Sequence, residues 1–519
     1  MPFETTIDWL FRRTVRWYPD EVAFEQADGG RSYTYAKADE RMCRFANALA
    51  ARGVEQEERV AFLCRTIVDH AIGFLGCQKI GALPATVHVR EAPSVIEGMI
   101  ADVEPRVLVF QPAFADLAER VGAAMESVDL LVAFDHEEPT PSSATGFSDL
   151  VGDADDSQPD VEINPDDRAF INFSSGTTSR PKPIVHTHRT ASRSMSVGQY
   201  HYNVRDYDVG LLFFGPSFIG WVNQILSWTS AGATAVFMEE FDADRAVDLI
   251  ESRGITSMLM VPVHLRRLLA AGIESAETSS VRVFGYAGEP VEAETVRRAV
   301  ETFPDAVYTG YGSTEVMASI LHFSSGRLDP PKPRAVGRPI PGVDARIIDP
   351  GSRDPEATVE RGETGELALR GPSVAGEVWD RPDLTETLFH EDGWWFSGDL
   401  AHVGPDGNVH LEGRVDSMIV SGGINIQAET IEAVLREHPD VVDCGVVGTP
   451  HEEWGEAVTA CAVTTGDLDA DALDAWCRDR DDLSDYQRPR RYEFVDGLPK
   501  TDSGKLNRQA LRERFGTGG

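Results

Sequence analysis

The chain has 519 residues, 85 of them Asp or Glu and 48 Lys or Arg, for a formal net charge of −37. That length exceeds what one hydrophobic core supports, so at least two domains are expected. The acidic residues are spread along the chain, which argues against nucleic acid or an anionic membrane as partner. The same charge fits a salt-accumulating halophile, because the screening length falls to about 3 Å at 1 M salt.

The six cysteines, Cys43, Cys64, Cys77, Cys444, Cys461 and Cys477, form no Cys-x-x-Cys pair and read as reduced core residues. No apolar run reaches the roughly 18 residues of a membrane span. The first residues, Met1-Pro-Phe-Glu-Thr5, lack the basic and apolar regions of a signal peptide. A soluble, cytoplasmic protein is expected.

In chain order, a helical pattern at Asp39–Ala51, an apolar run at Val60–Leu63 and a second helical pattern at Val68–Ile80 predict β-α units on a mainly parallel sheet. Residues 135–167 turn to Asp, Glu, Pro, Ser and Gly and predict a surface connection between two lobes. A second alternating series has strand candidates at Leu211–Phe214, Thr234–Met238, Thr256–Val261, Val281–Tyr286 and Val307–Gly310. Near Val336 the texture changes to short pieces broken by Pro and Gly, including Ala345–Ile348 and Gly365–Arg370, which predict a small β element. Beyond Gly413 a compact module is expected, with helices at Ala428–His438 and near Ala472–Arg480 and strands at Val441–Val447 and Ala457–Val463. The fold class is therefore α/β: two α/β lobes and a small β element, followed by a small α+β C-terminal domain.

The most informative stretch is Ser174-Ser175-Gly176-Thr177-Thr178-Ser179-Arg180-Pro181-Lys182. Small residues expose backbone amides, hydroxyls line the loop, and two cations close it, which suits a polyphosphate. The apolar run Ala169–Phe173 just before it predicts a buried strand, so the loop leaves a sheet at the end where α/β proteins bind ligands. It is not the Walker motif, because Lys182 stands between Pro181 and Pro183. Lysine is scarce, at Lys37, Lys79, Lys182, Lys332, Lys500 and Lys505 only, so one in this loop and two in Pro499–Lys505 carry weight. A compact ammonium on a flexible stem can follow a reacting phosphate. His186 and His188, two apart, have no Cys or carboxylate at metal-ligand spacing, and no metal is assigned to them. No Gly-x-Ser-x-Gly elbow supports a hydrolase.

Further clusters follow at Gly288-Glu289-Pro290, Tyr311-Gly312-Ser313-Thr314-Glu315, Ser397-Gly398-Asp399, Gly413-Arg414-Val415-Asp416, Ser421-Gly422-Gly423 and Lys500–Lys505. In this order and spacing, from about Tyr33 to Arg508, the chain resembles the adenylate-forming superfamily of acyl-CoA synthetases, adenylation domains and luciferases.

The resemblance implies a carboxylate attacking the α-phosphate of ATP to give acyl-adenylate and pyrophosphate, after which a thiol displaces AMP. It implies that Ser174, Ser175, Gly176, Thr177, Thr178 and Lys182 hold the β- and γ-phosphates, Glu315 orients Mg²⁺, and Thr314 donates to the α-phosphate. Tyr311 resembles the aromatic that stacks on adenine, with Gly288, Glu289 and Pro290 beside it, and Asp399 and Arg414 are similar to residues that bind the ribose.

Lys505 resembles the lysine that bridges carboxylate and α-phosphate. Asp416 resembles the hinge between an N-terminal domain, 1–413, and a mobile C-terminal domain, 414–519. Ser421, Gly422 and Gly423 resemble the loop that admits the pantetheine arm of coenzyme A. Phe218, Trp221, Tyr286 and Gly310 flank the acid by family position, and their aromatic walls favour an apolar acyl or aryl acid.

Ser179 and Pro183 stand where relatives carry glycine, and Ile219 where many carry histidine. The partners implied are a small carboxylic acid, ATP and CoA, with homo-oligomerisation left open. Transfer to a carrier protein and a catalytically silent adenylate-binding sensor are the competing readings.

Overall fold

The computed structural model describes residues 5–134, 140–174, 181–288, 291–317, 321–324, 334–421, 424–451, 454–466, 468–480, 483–500 and 506–515. They fall into two compact units, one of residues within 5–174, 181–344 and 370–395, the other within 345–369 and 396–515.

The first unit contains two sheets whose neighbours in space are not neighbours in sequence. One runs in the order Glu377–Val378, Lys182–Thr187, Arg168–Ser174, Leu83–Thr86, Arg59–Leu63, Val107–Phe110, Leu130–Ala133, Thr145–Gly146. Its members from Arg168–Ser174 to Thr145–Gly146 pair in parallel, and Lys182–Thr187 returns antiparallel to Arg168–Ser174. Val107–Phe110 is buried at every position, as expected for a strand covered on both faces.

The other sheet includes Leu321–Ser324, Val307–Tyr311, Val283–Tyr286, Ser257–Met260, Val209–Leu212, Thr234–Phe237, Val22–Gln26 and Ser32–Thr34 in that order. The five strands expected from Leu211 to Gly310 are all present and parallel, each within two or three residues of its expected ends. Val209–Leu212 lies between Thr234–Phe237 and Ser257–Met260, so the chain leaves it toward one side and later returns on the other. Such a reversal opens a crevice at the carboxyl ends of the strands.

Helices cover the sheets for reasons legible locally. Ile7–Trp17 starts at Thr6, whose hydroxyl accepts from the Trp9 amide, and buries Ile7, Phe11 and Thr14. Ala243–Arg253 starts on Asp242 and stops at Gly254, in the left-handed region at φ +66°.

The expected surface connection at 135–167 is partly wrong. Phe147–Gly152 forms a short helix whose Phe147, Leu150 and Val151 join the core, with Phe147 packed on Phe45 and Phe134. The polar composition on either side hid three apolar anchors.

The strands Asp344–Ile348, Gly365–Arg370, Trp394–Val403 and Val409–Arg414, most of whose residues belong to the second unit, run side by side where a small β element is expected. A separate sheet holds Ile424–Gln427, Met418–Ser421, Gly455–Thr464 and Val441–His451, with Arg491–Phe494 paired to Gly455–Thr464. The helices Ala428–Arg436 and Ala470–Arg478 flank it and contribute Ile431, Leu435 and Leu473 to its core.

Candidate active site

In the first unit, the strand Arg168–Ser174 is buried from Ala169 onward. Asn172 near its carboxyl end donates to Thr86 Oγ1 at 2.8 Å and to the Pro216 carbonyl at 3.4 Å. Thr66 Oγ1 likewise donates to the Phe214 carbonyl. These bonds bring the loop 213–218, which follows the crevice strand of the second sheet, to the carboxyl ends of the first.

Ser175, Gly176, Thr177 and Thr178 lie outside the described residues, but both ends of their segment are placed. Ser174 and Lys182 are cross-strand partners, so Lys182 opens a returning strand rather than standing in the loop as expected. The Ser174 hydroxyl is buried with no hydrogen-bond partner among the described residues. Among the described residues no carboxylate pairs with Lys182.

The strand Arg168–Ser174 packs beside a 3-10 turn, Thr314–Val316, that follows Tyr311. Backbone bonds fix this turn. The Thr314 carbonyl accepts from His186 Nε2 at 2.8 Å, the Glu315 carbonyl from the Ala375 amide at 2.8 Å, and Met317, at φ +62°, donates to the Ser313 carbonyl. A carbonyl only accepts, so Nε2 carries the proton. Burial pushes the His186 pKa down to about 4, which keeps the imidazole neutral, and its ring stacks on Phe170 at 5.1 Å.

His188 is also buried and held near 4, and its Nδ1 accepts from the Ile7 amide. Neither histidine joins a metal-ligating group, and no group of three His, Cys, Asp or Glu suited to a metal occurs among the described residues.

What the turn presents is uncommitted. Glu315 is 8 % exposed and, among the described residues, faces no cation. The Ser313 hydroxyl is buried without a partner among the described residues. A buried carboxylate with no protein cation suits a hard, oxygen-seeking ion, so Glu315 fits Mg²⁺ chemically. Tyr311, at the end of its strand, stacks on Trp395 with ring centroids 6.5 Å apart. Gly288 sits at φ +102°, a conformation that favours glycine; Glu289 and Pro290 lie outside the described residues.

Of the expected acid-pocket residues, Tyr286 and Gly310 lie on adjacent parallel strands, with Tyr286 opposite Thr309. Burial pushes the Tyr286 hydroxyl up to about 12. Phe218 is 40 % exposed and meets His88 edge-on at 5.4 Å. Trp221 is fully buried, its ring against His70 and Phe74, in core packing of the unit. Ile219 starts the helix Ile219–Ala231.

The second unit carries the Ser-Gly-Asp turn. Asp399 and Arg414 are cross-strand partners, and Arg414 Nη1 lies 2.8 Å from Asp399 Oδ1 and 2.9 Å from the Ser397 carbonyl. Gly398 has φ +68°, and a Cβ there would come within 2.8 Å of Arg414 Nη2. Glycine is what lets the guanidinium lie under the turn. Glu366, fully buried, accepts from the Gly398 amide at 3.0 Å.

Val415–Ser417 forms a 3-10 turn immediately after Arg414, with Asp416 at its centre. Ser421 ends a strand and pairs with Ile424. Gly422, Gly423 and Lys505 lie outside the described residues.

Sequence reasoning missed Asn172, His186 and Glu366. His186 was weighed only as a ligand, and Glu366 was passed over inside the strand candidate Gly365–Arg370; the one available signal was a lone polar residue inside a run of buried strand positions, as in Gly365-Glu-Leu-Ala-Leu-Arg370.

Comparison with known proteins agrees with this geometry. Residues 11–379 match the profile described as AMP-binding enzyme, and residues 430–505 the profile described as AMP-binding enzyme C-terminal domain. The chain belongs to the AMP-binding enzyme family, the adenylate-forming superfamily.

It is 31 % identical to a feruloyl-CoA synthase of Amycolatopsis sp., over 98 % of both chains. It is also 31 % identical to a fatty acid–[acyl-carrier-protein] ligase of Streptomyces coeruleorubidus, over 94 % of this chain and 92 % of the other. Among solved structures it is similar to ATP-bound MatB of Rhodopseudomonas palustris, with TM-score 0.84 and 26 % identity over 99 % of each chain. No helix among the described residues is long and apolar enough to cross a membrane.

Proposed function

We propose that this acid–thiol ligase joins an apolar acyl or aryl carboxylic acid to coenzyme A, forming acyl-adenylate and pyrophosphate first and acyl-CoA and AMP second. The observation that carries the reading is the set of polar groups left without partners at one end of the first unit: the Ser174 and Ser313 hydroxyls, the Glu315 carboxylate and the Lys182 ammonium. Burying the two hydroxyls unpaired is costly, and a nucleotide triphosphate supplies acceptors for them and for the Lys182 ammonium.

In this reading Ser174, Ser175, Gly176, Thr177, Thr178 and Lys182 bind the β- and γ-phosphates, and Thr314 donates to the α-phosphate. Glu315 would hold Mg²⁺, which supplies charge neutralisation on the phosphates when bound. Tyr311 packs on adenine, bordered by Gly288, Glu289 and Pro290. Asp399 accepts from the ribose hydroxyls, and Arg414 donates to the same sugar. Lys505 bridges the attacking carboxylate and the α-phosphate. Turning of the C-terminal domain about Asp416 then withdraws Lys505 and brings Ser421, Gly422 and Gly423 to the thiol. Phe218, Tyr286 and Gly310 border the acid, with Trp221 behind them.

The relative named as a feruloyl-CoA synthase supports an aryl substrate and CoA. The relative named as a carrier-protein ligase supports a second reading, with the same first half-reaction and a carrier thiol in place of CoA. The −37 charge is read as adaptation to concentrated salt in the cytoplasm.

The test is a panel of aryl and alkyl acids in molar KCl, following acid-dependent pyrophosphate release with and without CoA and the appearance of AMP. Release that yields a thioester with CoA supports the proposal. A thioester only with added carrier protein favours the second reading. No release with any acid overturns both.

A further inference from the structure

We propose that Arg508 is a positioning residue for the adenylation half-reaction, tying the base of the Lys505 segment to the hinge turn through Glu432 and Glu429. The proposal rests on the role given above to Lys505.

Arg508 opens the helix Arg508–Phe515, three residues beyond Lys505. Its Nη2 lies 2.7 Å from Glu432 Oε1 and 3.0 Å from Glu429 Oε1. Glu432 is buried and also accepts from the Val446 amide at 2.9 Å. Glu429 Oε1 accepts from Ser417 Oγ at 2.7 Å. On the other side of the turn, a Cβ on Gly413 would come within 2.5 Å of Glu429 Oε2. One carboxylate therefore rests against both flanks of Val415–Ser417 and touches the guanidinium beside the Lys505 segment.

The residues bracketing 501–505 are themselves fixed. Lys500 and Leu506 pair as an antiparallel bridge, and the Asn507 amide donates to the Pro499 carbonyl at 2.9 Å. Leu506 and Leu511 close so tightly on Gly445 that a Cβ there would lie within 2.8 Å of both. A guanidinium can hold two carboxylates at once in a fixed plane, whereas an ammonium on a flexible stem holds neither direction. The arrangement links the hinge, the helix Ala428–Arg436 and the start of the last helix into one rigid path, on which the reach of Lys505 depends.

The test separates positioning from mere stability. Replacing Arg508→Met together with Glu432→Leu removes the pair and both of its charges while Glu429 keeps the Ser417 hydroxyl, and an unchanged circular-dichroism spectrum with cooperative melting identifies the folded variant. A folded double variant should lose about 10-fold or more in the rate of acid-dependent pyrophosphate exchange, the scale set by small misplacements of a catalytic group, with its KM for ATP nearly unchanged. Thioester formation from supplied acyl-adenylate and CoA should stay within about twofold, since Lys505 plays no part in that step. Glu429→Gln, which keeps the Glu432–Arg508 pair, should show the same split more weakly.

Equal slowing of both half-reactions, or no slowing in either, overturns the proposal. Lys505→Ala is measured alongside. If it loses exchange while the double variant keeps it, only the positioning role falls; if it keeps exchange, the reading beneath falls too.

Discussion

The two turns proposed to meet the nucleotide, one in each unit, differ in how their side chains are partnered. At the 3-10 turn of the first unit, the Ser313, Thr314 and Glu315 carbonyls all accept hydrogen bonds while Glu315 and the Ser313 hydroxyl meet no protein partner among the described residues. At the Ser-Gly-Asp turn of the second unit, Asp399 and Arg414 satisfy one another. In the proposed reading the first region leaves a carboxylate and a hydroxyl for a ligand, and the second would exchange an existing ion pair for hydrogen bonds to a sugar. Phosphate groups carry charge enough to justify a dedicated, uncompensated site, whereas a neutral ribose does not, and a carboxylate waiting for it is better kept paired.

The largest expected effect tests the first side of that contrast. Glu315→Gln keeps the shape of the turn and removes only the charge; pyrophosphate exchange should fall about 100-fold or more, the usual cost of losing one preorganised electrostatic group. Raising Mg²⁺ should recover part of the loss. Unchanged exchange at low Mg²⁺ would show that the uncommitted carboxylate has no metal to meet.

A smaller effect is expected on the paired side. Asp399→Asn weakens a charge-assisted bond worth about 1.5–3 kcal/mol, so KM for ATP should rise by about 10- to 100-fold with little change in kcat. The same variant should discriminate poorly against 2′-deoxy-ATP. A loss as large as that at Glu315, or one confined to kcat, would erase the difference between the two regions.

The smallest effect concerns the bond that fixes the 3-10 turn. His186 is neutral in the folded protein with its pKa near 4, below the ordinary 6.5. The unfolded chain then binds more protons than the folded one between those values, so stability is present above pH 6.5 and is lost as pH falls toward 4. The full shift corresponds to roughly 3 kcal/mol. His188, also lowered to about 4, adds to the same trend. His186→Gln, which can still donate to the Thr314 carbonyl, should flatten the fall in thermal midpoint between pH 6.5 and 4. An unaltered slope would remove His186 as its source.

Much of the candidate site was legible because it is written in contiguous motifs. Tyr311–Glu315 and Ser397–Asp399 each occupy one turn, and their small and charged residues announce a loop that must approach a ligand. Supporting residues were not legible. His186 lies 128 positions before the carbonyl it holds, and Glu366 lies 32 before the amide it anchors. No local pattern reports such a pairing.

The scarcity of lysine pointed to Lys182, Lys500 and Lys505, but a retained lysine can have two causes. Lys79 is buried and bonds Asp8, Asp39 and Gln158, a structural role that composition alone merges with phosphate binding.

The sequence by itself determined the α/β class, the five strands between Leu211 and Gly310, the change of texture near Val336 and the family motifs, because periodicity, turn residues and short spacings are local properties. Sheet membership was decided only in three dimensions. Val22–Gln26 pairs with Thr234–Phe237, and Arg168–Ser174 with Leu83–Thr86. A buried parallel strand is apolar on both faces and carries no mark of its neighbour, so the choice falls to packing among many mutually consistent contacts.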